Sequence, residues 1–474
     1  MIIGREKQQK RLTDLLESDK SEFVAVYGRR RVGKTYLIRE TFKYNFAFQH
    51  IGIQDGNKTR QLSEFALSLQ KAGATVSKKF KDWFEAFHAL ESFLETLPEG
   101  KKIIFIDELP WMDTPKSGFV SALGYFWNSW ATMRKDVLLI ICGSATSWII
   151  SNIVMNYGGL HNRLTRQIYL QPFNLHECEL YVKSRDLVMT RQQILETYMI
   201  LGGIPYYWTF LQRELSQVQN IDNMFFSENA DLKNEFDALY ASLFKNPAPY
   251  IQIITILCKK KAGMTRNEII AALGKSAGGT LSTILKELEQ CDFIRAYNPI
   301  GKVTKETVYQ LIDNYTLFYF KFINENRKHD PQFWTHSVNK PAYFAWCGLA
   351  FERVCLLHLE QIKRALGISG ILCNVCSWVY RPKDEYETGV QIDLIIDRDD
   401  NVINLCEIKF SSGKYEIKKQ YDEILRRRAS VFASKTETRK AVRTIMITTY
   451  GLLRNAYAND ILNQVVMDDL FLAE

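Results

Sequence analysis

A loop that contains two glycines and a lysine lies near the start of the chain, directly after a short apolar run. The run is Phe23-Val-Ala-Val-Tyr27, the loop is Gly28-Arg-Arg-Arg-Val-Gly-Lys-Thr35, and a segment with helical spacing follows. This is the pattern G-x-x-x-x-G-K-[ST] in the context of strand, loop and helix. The pattern constrains the fold, because the backbone N–H groups of such a loop and the N-terminus of its helix surround a phosphate group. The N-terminal third is therefore predicted to be an α/β domain built on a parallel sheet.

Each part of this loop has a predicted role at a nucleotide. Two glycines let the chain wrap a phosphate, the lysine is expected to reach the β- and γ-phosphates, and the threonine is expected to hold Mg²⁺. The residues predicted to bind the nucleotide in this loop are Gly28, Arg29, Arg30, Arg31, Val32, Gly33, Lys34 and Thr35.

A second apolar strand, Lys101-Lys-Ile-Ile-Phe-Ile, ends in the acids Asp107 and Glu108. Asp107 is predicted to bind the Mg²⁺ directly or through water, and Glu108 to polarise the water that attacks the γ-phosphate. Alone, this segment is also compatible with an exposed acidic turn. Beside the phosphate-binding loop, the second acid favours hydrolysis over nucleotide binding alone.

A third strand, Asp136 to Gly143, ends in Ser144-Ala-Thr146-Ser147. Ser144 is the first candidate for contact with the γ-phosphate or the attacking water, and Thr146 is the second. A helix N-cap formed by Thr146 or Ser147 is the alternative.

Two arginines, Arg163 and Arg166, come just before another predicted strand. Either arginine could sense phosphate, within its own subunit or from a neighbouring one. Ordinary surface or ion-pair arginines are the alternative.

These motifs follow one another in an order that resembles an archaeal and bacterial ATPase family related to the AAA+ and STAND P-loop classes. The matching segments are Gly4-Arg-Glu6, GRRRVGKT, FIDELPW, GSATS, Arg163 to Phe173, and Gly202-Gly-Ile-Pro-Tyr206. The resemblance implies ATP as the nucleotide, Arg5 in the segment near the adenine, and the Gly202 segment in a helical lid. The predicted domains are thus a P-loop ATPase domain at 1–173 and a lid at 174–245.

Residues 246–325 have the pattern of a winged helix, namely three helices followed by two strand-like pieces around a turn at Gly301-Lys302. The third helix would read DNA if it entered the major groove. Its sequence, TLSTILKELEQ, carries few basic residues, so DNA contact and a protein-docking or architectural role both remain open.

Residues 326–474 contain charged side chains within apolar strands. Asp393 lies in one strand, and alternation places Glu407 and Lys409 on one face of the next. The two carboxylates could bind Mg²⁺ with the lysine beside them, and Glu352 on the preceding helix could be a further ligand. Basic residues downstream, ending in Arg426-Arg-Arg428, could track a phosphate backbone or form a solvated face.

This arrangement, D-x13-E-x-K, resembles the PD-(D/E)XK nuclease superfamily. The resemblance implies an α/β nuclease-like domain in which Asp393, Glu407 and Lys409 are catalytic and Glu352, Asp393 and Glu407 hold the metal. No Pro-Asp dipeptide stands at the first acid, where the chain reads Gln391-Ile-Asp393. The alternative is an ion-pair network on an exposed sheet face.

Composition sets wider limits on the kind of protein. The chain has 474 residues, of which 46% are apolar and 24% charged, and this excludes collagen-like, low-complexity and wholly disordered proteins. A net charge of +8 permits a polyanionic partner. The nine scattered cysteines and the start MIIGREKQQKR, which has no apolar stretch, predict a cytoplasmic protein that does not enter a membrane.

Together these features predict an ATP-hydrolysing, ATP-regulated protein that binds DNA and carries a metal-dependent nuclease-like domain. One alternative is a nucleotide-switched interaction or scaffold protein whose nuclease-like domain only binds. Another is a transcription regulator. A protein partner and assembly into a homo-oligomer are also open.

Overall fold

The chain forms two compact units, Met1–Pro172 and Phe173–Glu474. The predicted boundary after residue 173 lies next to this division, and the other two predicted boundaries fall within the second unit. The computed structural model describes residues 2–76, 79–155, 158–274, 279–300, 306–326, 329–380, 382 and 389–473.

The first unit is built on a five-stranded parallel sheet with the order β2-β3-β4-β1-β5. Its strands are β1 (Glu22–Tyr27), β2 (Phe48–Ile51), β3 (Lys102–Asp107), β4 (Val137–Gly143) and β5 (Arg166–Tyr169). Every residue of β3 and β4 is buried, as expected for strands covered on both faces. This topology confirms the predicted α/β fold with a parallel sheet.

Helices cover the sheet of the first unit. They are α1 (Glu6–Thr13), α2 (Lys34–Thr41), α3 (Lys58–Ala72), α4 (Trp83–Glu95), α5 (Phe119–Ser129) and α6 (Thr146–Ile149), which a π-helical turn at Ile150–Val154 continues. Short 3₁₀ helices follow β3 at Leu109–Met112 and α5 at Ala131–Met133. Large aromatic residues of α3, α4 and α5 pack together, and the rings of Trp83 and Phe119 lie 4.9 Å apart. Each such buried side chain contributes about 1.5–3 kcal/mol.

The second unit begins with a helical region, as predicted for 174–245. Its helices are α7 (Leu175–Ser184), α8 (Arg191–Leu201), α9 (Pro205–Trp208), α10 (Gln217–Phe225) and α11 (Glu235–Leu243). Capping boxes at Asn174 and Thr190 begin α7 and α8. Gly203 lies between α8 and α9, where the backbone leaves no room for a side chain, since a Cβ there would lie 1.8 Å from the carbonyl oxygen of Phe173.

The middle region of the second unit contains three helices and a small antiparallel sheet in the predicted order. These are α12 (Ala248–Cys258), β6 (Met264–Thr265), α13 (Arg266–Leu273), α14 (Gly279–Gln290), β7 (Ile294–Tyr297) and β8 (Val308–Leu311). A capping box at Thr265 begins α13. Strand β6, which pairs with β8, was not predicted, and the predicted Gly301-Lys302 turn lies outside the described residues.

The C-terminal region of the second unit has helices followed by a mixed sheet. The helices before the sheet are α15 (Asn314–Phe318), continued by a π-helical turn at Tyr319–Ile323, α16 (Phe333–Ser337), α17 (Pro341–Leu357) and α18 (Leu359–Ala365). The sheet has the order β13-β12-β11-β10-β9. Its elements are β9 (Cys373–Tyr380), β10 (Val390–Arg398), β11 (Val402–Lys409), α19 (Lys419–Thr436), β12 (Ala441–Thr448) and β13 (Asn463–Val466), with 3₁₀ helices at Ala458–Asp460 and Met467–Phe471.

Strand pairing in this sheet is antiparallel from β9 to β11 and parallel from β11 to β13.

Within the described parts of the chain, no single helix is long and apolar enough to cross a membrane. One sharply bent pair, α17 with α18, passes that test of length and composition when the two helices are taken together.

Candidate functional site

The loop between β1 and α2 has the curled backbone that its glycines permit. Gly28 has φ +144°, and a Cβ at this position would lie 2.3 Å from the carbonyl oxygen of Leu170. Gly33, at φ +90°, and Arg31, at φ +70°, also lie where L-residues are uncommon. The side chain of Val32 is buried. The loop therefore has the curled backbone with which such loops surround a phosphate.

Lys34 opens α2 and is almost completely buried. Its Nζ donates hydrogen bonds to the carbonyl oxygens of Gly28 and Arg29, each at 2.9 Å. The ammonium group thus lies inside the loop, within reach of the phosphate that the loop would surround.

Thr35 and Asp107 meet beside the loop. The Oγ1 of Thr35 donates to the Oδ2 of Asp107 at 2.8 Å, and the other carboxylate oxygen of Asp107 accepts from the backbone N–H of Glu108 at 3.0 Å. A hydroxyl and a carboxylate oxygen side by side are the donor set that Mg²⁺ takes in nucleotide sites. The two residues predicted to share Mg²⁺ are therefore adjacent, and their chemistry fits that ion.

Glu108 is held by the end of the neighbouring strand. Its carboxylate accepts from the Oγ of Ser144 at 2.6 Å and from the Ser144 N–H at 3.2 Å. Glu108 has φ +47°, an uncommon conformation for glutamate, and these two bonds fix its side chain there. The alternative prediction for the segment after β4, a helix N-cap formed by Thr146 or Ser147, is wrong, because the N-cap of α6 is Ala145.

The arginines predicted near the nucleotide have different surroundings. Arg5 is buried, and its Nη2 donates to the carbonyl oxygen of Gln171 at 2.7 Å. Arg163 and Arg166 are both exposed. Arg166 is the first residue of β5 and donates to the carbonyl oxygen of Thr165 at 2.7 Å. The contacts of Arg5 and Arg166 are with protein carbonyls, and their predicted roles at the nucleotide stay predictions.

A second group of charged side chains lies in the Phe173–Glu474 unit, around Lys261. The Nζ of Lys261 lies 2.7 Å from the Oε1 of Glu352 on α17 and 3.2 Å from the Oδ2 of Asp393 on β10. One nitrogen therefore bridges two of the carboxylates predicted to bind metal. Lys261 itself was not predicted as a site residue.

The two carboxylates are close enough to influence each other's ionisation. Burial, reinforced by the charge of Asp393, raises the pKa of Glu352 to about 7. Burial alone would lower the pKa of Lys261, but the charges of Asp393 and Glu352 outweigh it and raise that pKa. Lys261 is therefore an ammonium ion, and it offsets a repulsion between two acids.

Glu407 makes a separate set of contacts. Its carboxylate lies 2.9 Å from the Nζ of Lys409 and 2.5 Å from the Nη1 of Arg428, and it also accepts from the hydroxyl of Tyr421. Asp393 lies opposite Glu407 in register, one position beyond the ladder pair of Leu394 and Cys406. The predicted common face of Glu407 and Lys409 is thus confirmed.

The three predicted metal ligands do not form one group. Over the described ranges, no group of three or more His, Cys, Asp or Glu side chains is placed to hold a metal ion. The physical reason is that Lys261 draws Glu352 and Asp393 together, whereas Arg428 and Tyr421 hold Glu407. Arg428 is accordingly bound to a carboxylate and does not form the solvated face that was one of its two predicted roles.

A cavity of about 1230 Å³ lies beside Lys261. Its lining includes Lys259, Lys260, Lys261, Tyr297, Trp378 and Gln391. Gln391 also donates from its Nε2 to the Oδ1 of Asp393 at 2.6 Å. The Lys261 side chain therefore borders both the acid pair and open space.

Comparison with known proteins gives matches over the first unit and beyond. Residues 2–211 match a family model described as an ATPase domain predominantly from Archaea. The uncharacterized protein MJECL04 of Methanocaldococcus jannaschii is 25% identical over 441 residues, which cover 90% of this chain and 92% of that protein.

Two solved structures are also similar. The Walker-type ATPase PABY2304 of Pyrococcus abyssi is 17% identical with a TM-score of 0.46, covering 67% of this chain and 95% of that chain. The ORC2 protein of Aeropyrum pernix, solved as ADPNP and ADP complexes, is 11% identical with a TM-score of 0.40, covering 75% and 95% of the two chains.

The family match spans the features that the geometry brings together, namely the loop around Lys34, the acids at the end of β3 and Ser144 at the end of β4. It confirms the resemblance to an archaeal P-loop ATPase family for this part of the chain. Over residues 2–211 the chain is thus similar to an ATPase domain found predominantly in Archaea, and its parallel sheet has the P-loop NTPase fold.

Proposed function

We propose that this protein binds ATP with Mg²⁺ at the Gly28–Thr35 loop and hydrolyses it. The observation that carries this proposal is the pairing at the loop, in which Thr35 meets Asp107 while Ser144 orients Glu108. A protein that only bound the nucleotide would not need the pair of Ser144 and Glu108, which serves to activate water.

Each residue would make a defined contribution to hydrolysis. Mg²⁺, when held by Thr35 and Asp107, would supply positive charge for the β- and γ-phosphate oxygens. Lys34 exchanges its carbonyl partners for phosphate oxygens, which are stronger acceptors for an ammonium group. Glu108 accepts a proton or hydrogen bond from the attacking water, and Ser144 keeps the Glu108 carboxylate aimed at that water.

Steady-state release of phosphate from ATP tests this function directly. We expect turnover that requires Mg²⁺ and stops when EDTA removes the ion. Tight ATP binding without phosphate release would instead favour the nucleotide-switched interaction protein.

Replacement of Ser144 by alanine tests the orienting role. The Ser144→Ala variant keeps the backbone N–H contact with Glu108 but loses the 2.6 Å hydroxyl contact. We expect kcat to fall about tenfold, the effect of one lost hydrogen bond to a charged group. KM for ATP should change little, and Ser147→Ala is the matched control in the same turn. An unchanged kcat would show that Ser144 only supports the strand end.

We propose as a second function that the C-terminal region is a metal-dependent phosphodiesterase site acting on DNA. The observation that favours it is the convergence of Glu352 and Asp393 on one cationic nitrogen. The Oε2 of Glu352 is buried and has no hydrogen-bond partner among the described residues. Such oxygen donors suit Mg²⁺ or Mn²⁺.

In this proposal Glu352 and Asp393 would hold the divalent ion, which would polarise the phosphodiester. Glu407 keeps Lys409 in place, and the ammonium group of Lys409 stabilises the negative charge that develops on the phosphate. The middle region, with three helices and the β6-β8-β7 sheet, is a winged helix that would bring DNA to this site. ATP hydrolysis in the first unit would regulate this activity.

A cleavage assay with Lys409→Ala tests this function. Wild-type protein with Mn²⁺ and ATP is incubated with single-stranded, duplex and branched DNA. We expect cleavage, and an about 100-fold loss in Lys409→Ala because one preorganised charge is removed from the site. Lys414→Ala, a change at an exposed lysine of the same region, is the control. Wild-type protein that hydrolyses ATP yet cuts none of these substrates would favour the scaffold alternative.

A further inference from the structure

Lys261 reaches the acid pair from a different part of the chain. It follows helix α12, 91 residues before Glu352 and 132 residues before Asp393. The segment of Lys259, Lys260 and Lys261 reads as a surface charge run, and Lys260 does pair with the nearby Glu268 at 2.7 Å. Lys261 differs, because its ammonium group lies between two carboxylates of the proposed nuclease-like site.

The backbone of Lys261 is fixed on two sides. Its carbonyl oxygen accepts from the Nε2 of Gln310 on β8 at 2.7 Å and from the Nη2 of Arg353 on α17 at 2.6 Å. Arg353 is fully buried and stands next to Glu352 in sequence. The lysine is therefore delivered to the acids by a defined backbone contact and not by chance flexibility of a surface side chain.

The Lys261 side chain nevertheless has room to leave. It is 42% exposed, and it lines the cavity of about 1230 Å³ that also contacts Gln391. A rotation of the side chain into this cavity would free Glu352 and Asp393 while the backbone contacts to Gln310 and Arg353 remained.

We propose that Lys261 is a built-in competitor for the divalent cation, which closes the nuclease-like site until the lysine is displaced. This inference rests on the second proposed function and deepens it by naming its regulation. A single positive charge held between two carboxylates occupies the place and meets the electrostatic need that a divalent ion would meet. Metal binding at this pair must therefore remove an ammonium group that the fold itself supplies.

Binding of Mn²⁺ to the full-length, nucleotide-free protein tests the proposal. Free Mn²⁺ is measured by electron paramagnetic resonance for wild type and for Lys261→Met, which keeps the aliphatic stem and loses the charge. We expect the Kd for Mn²⁺ to be lower in Lys261→Met by about tenfold or more, the size of one partly buried ion-pair contribution. Lys261→Arg, which keeps the charge, should bind Mn²⁺ as wild type does.

Two controls assign the effect to this site. Lys260→Met removes the neighbouring charge and should leave Mn²⁺ binding unchanged. Glu352→Gln added to Lys261→Met should abolish the gained binding. A Kd for Lys261→Met equal to that of wild type would overturn the proposal, and so would a gain that survives Glu352→Gln.

A second measurement covers the stability of the variant. Without metal, Lys261→Met leaves two acids facing each other, so its Tm should be below that of wild type, and Mn²⁺ should raise the Tm of the variant more than that of wild type. Equal Mn²⁺ effects on both Tm values would count against competition by Lys261.

DNA cleavage in the same samples separates the two proposals. Tighter Mn²⁺ binding by Lys261→Met without cleavage by any variant would support the competitor and remove the nuclease function. Cleavage by wild type with unchanged Mn²⁺ binding in Lys261→Met would remove the competitor and leave the nuclease function standing.

Discussion

The Glu108→Gln variant is expected to bind ATP as wild type does and to hydrolyse it about 10²–10⁴-fold more slowly, the range for loss of a positioned general base. Glutamine has nearly the shape of glutamate, so its amide oxygen can still accept from the Ser144 hydroxyl that contacts Glu108 at 2.6 Å. What the variant loses is the negative charge that activates the water, together with the weaker bond from the Ser144 N–H at 3.2 Å, which an amide nitrogen cannot accept. The measurement is single-turnover phosphate release beside an equilibrium ATP titration.

Asp113→Asn is the matched control for this change. Glu108 precedes the 3₁₀ helix Leu109–Met112, and Asp113 follows it. The carboxylate of Asp113 accepts from the indole N–H of Trp148 at 3.3 Å, and burial raises the pKa of Asp113. It therefore offers a second partly buried carboxylate that is not aimed at the loop, and its replacement should leave kcat nearly unchanged. If Glu108→Gln hydrolysed ATP at the wild-type rate, Glu108 would not be the residue that activates water.

The Lys34→Ala variant is expected to lose most of its affinity for ATP, by about 100-fold, because it removes the charged donor that reaches the β- and γ-phosphates. In the structure this ammonium group is buried and bonded to two loop carbonyls. Equilibrium titration with a fluorescent ATP analogue in the presence of Mg²⁺ measures the loss.

Lys71→Ala, at an exposed lysine in the last turn of α3, is the control for a general change in charge. Circular dichroism should show Lys34→Ala folded, because the loop carbonyls it leaves can bond to water. A folded Lys34→Ala protein with wild-type ATP affinity would place the nucleotide elsewhere.

The candidate nucleotide site of the first unit could be predicted from sequence because its parts are local patterns. A loop of fixed spacing and a strand that ends in acids predict the contact between Thr35 and Asp107. The partner of Ser144 was harder to predict. The serine was expected to touch phosphate or water, and its contact with Glu108 depends on β4 lying directly beside β3, which no local pattern of residues encodes.

The second site shows where sequence patterns stop being informative. Alternation along β11 predicts that Glu407 and Lys409 share a face. Lys261 could not be found in this way, because its contact with Asp393 spans 132 residues and its neighbours look like ordinary surface lysines. Arg428 was expected either to track a phosphate backbone or to form a solvated face, but the packing of α19 against the sheet places it on Glu407. The two-residue strand β6 is too short for any periodicity to reveal.

The ion pairs around Glu352, Asp393 and Glu407 also bear on how the C-terminal region folds. Many small metal-binding domains unfold when a chelator removes their ion, because their ligands then repel one another. Here Lys261, Lys409 and Arg428 neutralise Glu352, Asp393 and Glu407 from within the chain. We therefore expect this sheet to fold without a metal ion. A divalent ion would bind to the folded region and would not be needed for its folding.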